Sequence, residues 1–335
     1  MKPTRYIDIL TDFGLKFIFG SEPNKDLLVH FLNEVFKGQK HIKDIQYFKT
    51  EFPGSAEHEG GVIFDLLCTG DNNEKFLLEV QRAKQEYFTQ RSVSYIARLI
   101  SDQIPKGKRD EWQYDIKEVY FIAILETFSM APDSDDKLYL RSANIRYCET
   151  NEVFYDGLKF IFIELCNFAK DSTELNSDLD NWLYVLKNMS KLDKIPLFLR
   201  KPVFQKLFQI SEYSKLQKDE RVMYDISMRH KWDYDNTLNY ARKEARREGL
   251  EEGREEGREE GKKEGREEGR EEGKKEGREE GKKEGKKEGR KEITKEFIRK
   301  LILETQMTDN QIAKLVGAQE AIVKDIRGKI SKTNE

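Results

Sequence analysis

Histidine and cysteine are scarce, with four and three in 335 residues. No histidines stand at metal-ligand spacing, which speaks against a zinc hydrolase. Cys68, Cys148 and Cys166 are odd in number and far apart, so they suit neither a disulfide framework nor a zinc cluster. Each lies in an apolar, strand-like run, and reduced core thiols are expected. No window approaches the roughly 18 uncharged apolar residues of a membrane span. Asp8 and Asp12 interrupt the start of the chain, so no secretory signal is expected either. The expectation is a soluble, unexported, cytoplasmic protein without a membrane partner.

Apolar residues are also few, at 37%, which is low for a fully globular chain. One segment causes the deficit: residues 242–292 carry 19 basic and 19 acidic residues. Residues 1–241 carry 33 basic and 38 acidic residues, a net charge of −5. Non-specific DNA binding is driven by lysines and arginines that displace counterions from phosphates, so that balance counts against a broad DNA-binding surface. A DNA surface would have to be local. Candidates are Arg82, Lys84, Arg91 and Arg98, with Lys106, Lys108 and Arg109 further on; a solvated charged face is the alternative for each.

What is present is a hairpin pattern from Gly61 to Gln81. Val62–Cys68 and Phe76–Val80 are short, β-branched or aromatic-rich runs separated by the polar turn Gly70-Asp71-Asn72-Asn73-Glu74. Asp65 stands alone inside the first run. Alternation along the second places Glu79 and Gln81 on one face, and antiparallel pairing brings Asp65 beside them. Burying two acids without a partner costs several kcal/mol, and a divalent cation is the usual way to offset it. The residues alone leave two readings open: a hard-metal site, or two acids facing solvent from an edge strand.

The order Asp65, then Glu79-Val80-Gln81 on a hairpin, then a helix, resembles the PD-(D/E)XK nuclease core. Within that superfamily the chain is most similar to the recombination-promoting nuclease/putative transposase family. The resemblance rests on Asp12-Phe13-Gly14-Leu15-Lys16-Phe17-Ile18-Phe19-Gly20, the run from Asn24 to Asn33, Phe64-Asp65-Leu66-Leu67-Cys68, Leu78-Glu79-Val80-Gln81, Phe160–Leu165 and Trp182 with Leu186-Lys187. It covers roughly residues 5–250. It implies a mixed α/β (α+β) fold with a restriction-endonuclease-like core flanked by helices. It also implies a Mg²⁺-dependent DNA endonuclease, with Mn²⁺ able to substitute, that promotes recombination or transposition. Asp65 and Glu79 would be metal ligands with the Val80 carbonyl, and Gln81 would be catalytic where the superfamily most often has lysine. Arg82 or Lys84 would then add positive charge. Arg91 and Tyr95, four apart on one helix face, would lie near the site, and Glu34 would supply the extra helix carboxylate of many such nucleases. For these three the bland alternatives stand: an arginine stem packed on a tyrosine ring, and a surface acid.

The remaining pattern is α, β, β, β, α, then strands. Ser21 and Pro23 open a helix to Phe36, with an apolar stripe from Leu27 to Phe36. Ile42–Phe52 reads as the first strand, and Glu86–Ile104 reads as a helix after the hairpin. Val119–Leu125 is apolar throughout and reads as a central strand covered on both faces. Leu138–Tyr147 and Leu158–Leu165 follow, joined through a loop containing Asp156-Gly157. Pro105–Asp115 and Met130–Asp136 read as loops. Helices complete the domain from Asn176 to about residue 248.

The organisation expected is a nuclease-like domain (1–241), a spacer (242–292) and a small helical module (293–335). The spacer has glycine at every fourth position from Gly249 to Gly289, eleven in all. Glu-to-Lys/Arg pairs add about 0.2 to 0.5 kcal/mol each to a helix, whereas each glycine costs about 1 kcal/mol. A charged spacer helical in part and a flexible linker both fit, and a coiled coil does not, because apolar a and d positions are missing. In the last module Thr308 can cap a helix over Asn310–Val316, Gly317 can end it, and another helix covers Ala321–Ile330. This resembles a resolvase-type DNA-reading module, and equally a protein interaction module. The alternative to the endonuclease is therefore a catalytically weak scaffold or nucleic-acid-binding module that forms homo-oligomers through its tail.

Overall fold

The computed structural model describes residues 4–52, 62–104 and 115–331. Its fold is mixed α/β: a six-stranded mixed sheet flanked by helices. Residues 1–238 and 239–335 form two compact units.

The first unit is built on β6 (Val119–Leu125), in which every residue is buried. A strand without polar residues has no face to offer water, so it must be covered on both sides. Parallel neighbours flank it: β5 (Lys75–Gln81) and β8 (Val153–Glu164). β4 (Leu66–Gly70) pairs antiparallel with β5, β1 (Ile45–Tyr47) with β4, and β7 (Leu140–Arg146) with β8, giving the order β1-β4-β5-β6-β8-β7. Alternation divides β6 between two cores. Tyr120, Ile122 and Ile124 join the larger one, with the helices α1 (Asp12–Phe19), α2 (Lys25–Val35), α4 (Asp178–Asn188) and α5 (Pro202–Ile210). Val119, Phe121, Ala123 and Leu125 join the smaller one, under α3 (Phe88–Ser101).

Several boundaries depart from the sequence pattern. The stretch Ile42–Phe52 is two strands, β1 and β2 (Glu51–Phe52), because the chain leaves the main sheet after Tyr47. Val62–Cys68 divides in concert into β3 (Val62–Ile63) and β4, and β2 with β3 makes a separate two-stranded ladder. Asp65 therefore stands at a break between strands, not within one. The helix expected from Ser21 starts as a 3-10 turn at Glu22–Asn24 and becomes α-helical at Lys25. Asp156-Gly157 lies inside β8; the reversal comes earlier, where Asn151 takes a left-handed φ of 58° and its N–H bonds the Tyr147 carbonyl. Cys68 is buried, but Cys148 and Cys166 are exposed, so two of the three thiols are not core residues. Residues 105–114, among them Lys106, Lys108 and Arg109, lie outside the described residues.

Helix α1 was not expected from its apolar run. It forms because the Thr11 hydroxyl accepts the Gly14 N–H (3.0 Å) as an N-cap. Gly14 is required there, since a Cβ would fall 2.1 Å from the Asp8 carbonyl oxygen.

The N-terminal segment is clasped by residues from late in the unit. Tyr6 bridges Glu212, the Ile7 N–H donates to the Ser211 carbonyl (2.9 Å), and Lys231 sits between Asp8 (2.7 Å) and Glu126 (3.0 Å). Lys231 belongs to α6, assigned from Lys218 to Glu304, which begins in the first unit and carries the whole glycine repeat in the second. The second unit closes on a small core of Ile298, Ile312, Ala313 and Val323, with α7 (Asp309–Val316) ended by Gly317 at a left-handed φ of 67° and followed by α8 (Glu320–Ser331).

Trp182 is fully buried on α4, ringed by Phe19, Phe31 and Phe204, and its indole N–H donates to His30 Nδ1 (2.9 Å). Trp182→Ala should cost about 3 to 5 kcal/mol in urea unfolding. A loss below about 1 kcal/mol would place Trp182 outside the packed core.

Candidate active site

The site grows from the alternation of β5. Leu77 packs in the smaller core beneath α3, so Glu79 and Gln81, two and four residues on, face the same side. The β4–β5 register sets Leu66 opposite Leu78, which brings Asp65 to the level of Glu79 just before β4 begins. With the ladder interrupted, side chains take the freed backbone donors. The Asp65 N–H donates to Glu79 Oε1 (3.1 Å), and the Val80 N–H donates to Asp65 Oδ2 (2.9 Å). Each acid is thus held by the backbone of the other strand. Gln81 Nε2 reaches Glu79 Oε2 at 3.4 Å, and both side chains are buried.

Burial pushes the Asp65 carboxyl above its usual range, opposed by the Val80 N–H and by the charges of Lys16 and Arg91. Burial pushes Glu79 up to about 8, and the Asp65 charge adds to the rise. The Asp65 charge opposes ionisation of Glu79, so without a cation the pair favours keeping a proton on Glu79.

A cavity of about 360 Å³ opens on the pair, lined also by Gln81, Arg91, Tyr95 and Tyr234. It lies at the carboxyl end of β5, where open sheets with parallel strands place their ligands. Arg91 stacks near the Phe88 and Tyr95 rings, at 5.6 and 5.8 Å, and donates to Gln85 Oε1. Its Nε is buried without a hydrogen-bond acceptor among the described residues. Tyr95 packs edge-on against Phe64 at 5.1 Å, and burial together with the Glu79 charge raises its phenol pKa, keeping it protonated.

Asp65, Glu79, Gln81, Arg91 and Tyr95 therefore meet in one place. Glu34, on α2, does not join them: it is ion-paired with Lys37 in the turn after that helix (3.3 Å) and does not line the cavity. Arg82 lines the cavity, but its guanidinium is bound by Asp235, with Glu126 at 4.0 Å, and Lys84 is not among the lining residues. Arg91 is consequently the cation that faces the acids, in place of the expected Arg82 or Lys84. Sequence reading missed Tyr234 and Asp235, which α6 brings to the rim from about 150 residues downstream; no local pattern marks them.

The oxygen-rich set suits a hard divalent ion. Asp65 Oδ1 makes no hydrogen bond among the described residues, and there neither acid forms a direct ion pair, the Arg91 charge acting on both from further off. Among the described residues no third carboxylate, histidine or thiol completes a protein-only ligand cluster, so water, main-chain oxygen and substrate phosphate would fill the remaining positions.

A family model described as PD-(D/E)XK nuclease family transposase matches residues 9–241. The chain belongs to this family. The match spans both acids and ends before the glycine repeat. PD-(D/E)XK family nucleases generally use divalent metal ions, and nuclease activity implies a DNA substrate. Comparison with curated proteins and with solved structures gave no match. Among the described residues, no helix is long and apolar enough to cross a membrane.

The raised Glu79 pKa fixes a sign for stability in the metal-free protein. The folded state holds this proton more tightly than the unfolded chain, whose value is near 4.5, so the contribution is complete below that pH and is lost as pH rises toward about 8. The metal-free melting midpoint should fall across this window, and Glu79→Gln should flatten the fall. Parallel pH profiles for parent and variant would show that Glu79 is not the buried proton holder.

Proposed function

We propose that this protein is a Mg²⁺-dependent DNA endonuclease, with Mn²⁺ able to substitute, that serves recombination or transposition. The observation that carries the reading is the pair of backbone-braced carboxyl groups, Glu79 buried and Asp65 partly buried, each raised in pKa by burial and Glu79 also by the Asp65 charge, opening onto a cavity that Arg91 also lines. Asp65 and Glu79 would hold the metal, with the Val80 carbonyl as the further oxygen ligand that the family resemblance implies. The bound cation supplies Lewis acidity toward the scissile phosphate and a lowered pKa for water.

The chain's own groups do the rest. Gln81 is neutral, so its amide orients the attacking water by hydrogen bonding and brings no charge. Arg91, with its unsatisfied Nε, meets the phosphate oxygens as negative charge builds on them. Phe88 and Tyr95 hold the guanidinium plane, and Tyr95 remains a hydrogen-bond donor. Arg82, neutralised by Asp235, ties the end of β5 to α6 and positions the rim.

The reading is tested with supercoiled plasmid, with and without Mg²⁺ or Mn²⁺, beside Asp65→Asn and Glu79→Gln. These near-isosteric changes relieve carboxylate repulsion, so the metal-free proteins should be as stable as the parent or slightly more so. Nicking or linearisation should fall by about two orders of magnitude or more, because each change removes a metal ligand. Variants that cut as fast as the parent would remove the chemistry from this hairpin. A parent that shifts DNA in a gel but never cuts it would favour a binding module.

A further inference from the structure

The glycine repeat is neutral as a whole but not along its length. Residues 249–280 carry 14 acidic and 9 basic residues, whereas residues 281–300 carry 9 basic and 4 acidic residues. The reversal has a simple origin. Most of the earlier four-residue units read Gly-Arg-Glu-Glu, and from Gly281 the units read Gly-Lys-Lys-Glu or Gly-Arg-Lys-Glu, so one glutamate in each is exchanged for a lysine.

On a helix, residues four apart lie in one row, rising about 6 Å per step. The later units therefore set two adjacent cationic rows on α6: Lys282, Lys286 and Arg290 beside Lys283, Lys287 and Lys291. All six are exposed, and among the described residues none forms an ion pair. A groove of about 980 Å³ runs between this face and α8, lined by the four unpaired cations Lys286, Lys287, Arg290 and Lys291 and by Lys295, which is ion-paired with Glu292 outside the lining (2.8 Å). Ile293 and Ile322, both partly exposed, give it an apolar lip.

We infer that this groove and its double cationic row dock the phosphate backbone of a nucleic acid, giving the second unit a sequence-independent hold on the substrate. The occupant is argued from charge. Unpaired cations at a regular rise match a polyanion of regular charge spacing, and the aliphatic lip suits the sugar face. The nuclease-type unit is net negative and has few spare cations at its own cavity, so the electrostatic part of binding falls to this segment. The inference rests on the endonuclease reading for its substrate, but its test does not depend on cleavage.

The full chain carrying Glu79→Gln, chosen to suppress cleavage, is titrated without divalent metal against a fluorescent 30-base-pair duplex over a range of salt concentrations. Two further proteins are compared with it. One adds Lys286→Gln, Lys287→Gln, Arg290→Gln and Lys291→Gln. The other adds Arg254→Gln, Arg258→Gln, Lys262→Gln and Lys263→Gln, an equal loss of charge in the acidic stretch. Glutamine keeps helix propensity, and circular dichroism checks that helicity is retained. The first variant should lower the slope of log affinity against log salt by about 3 to 4 units, and the second should leave it nearly unchanged. Equal loss in both variants would reduce the effect to bulk charge and overturn the proposal. So would unchanged binding in the first, as expected if the groove takes an acidic protein segment, or a Glu79→Gln chain that does not bind DNA at low salt. Plasmid cutting by the parent is scored separately: a chain that cuts but shows no groove effect keeps the endonuclease reading and loses this one.

Discussion

Two carboxyl groups, Glu79 buried and Asp65 partly buried, meet at the open end of one hairpin, and much of the first unit's form follows from tolerating them. Asp65 and Glu79 are held together by hydrogen bonds that each takes from the other's strand, so neither can swing away to relieve the repulsion. The brace needs unpaired backbone donors, and only a break in the ladder provides these. Hence β4 begins only at Leu66, the residues before it pair elsewhere as β3, and β1 and β2 divide in step. Burial needs a cover, which α3 supplies with Phe88, Ile96 and Leu99 below and Arg91 with Tyr95 at the rim. A site preloaded with electrostatic cost is relieved most by whatever cation enters it.

Sequence pattern made the sheet readable where burial is two-sided or alternating. Val119–Leu125 was defined to the residue because an unbroken apolar run has only one place to go. The nearness of Asp65 and Glu79 followed from a short polar turn and a period of two, both of them local properties. The break at Asp65 was not readable, since Phe64-Asp65-Leu66 carries no glycine or proline and the cause lies in hydrogen bonds from another strand. Cys148 and Cys166 misled for a related reason: apolar neighbours in sequence do not guarantee burial at a strand end. Arg82 looked like a free cation because the acid that claims it, Asp235, is 153 residues away.

The second unit shows the opposite limit. Net charge summed over residues 242–292 is zero and suggests an inert spacer, yet its sign changes near Gly281. The glycines there are not demanded by contact either, because an added Cβ at any of them would meet open space. Helix strength in this stretch is therefore held below what alanine would give, with no packing reason for it.

The clasp on the N-terminal segment bears on how the protein is made. Asp8 emerges from the ribosome early, but its partner Lys231 follows 223 residues later, with the rim residues Tyr234 and Asp235 just behind it. At about 5 to 20 residues per second that interval lasts on the order of ten seconds or more. During it Asp65 and Glu79 already exist while Arg82 has no Asp235 to hold it. A chain cut short before residue 231 would carry both acids without the finished rim, so the late start of α6 acts as a built-in delay between making the acids and completing their surroundings.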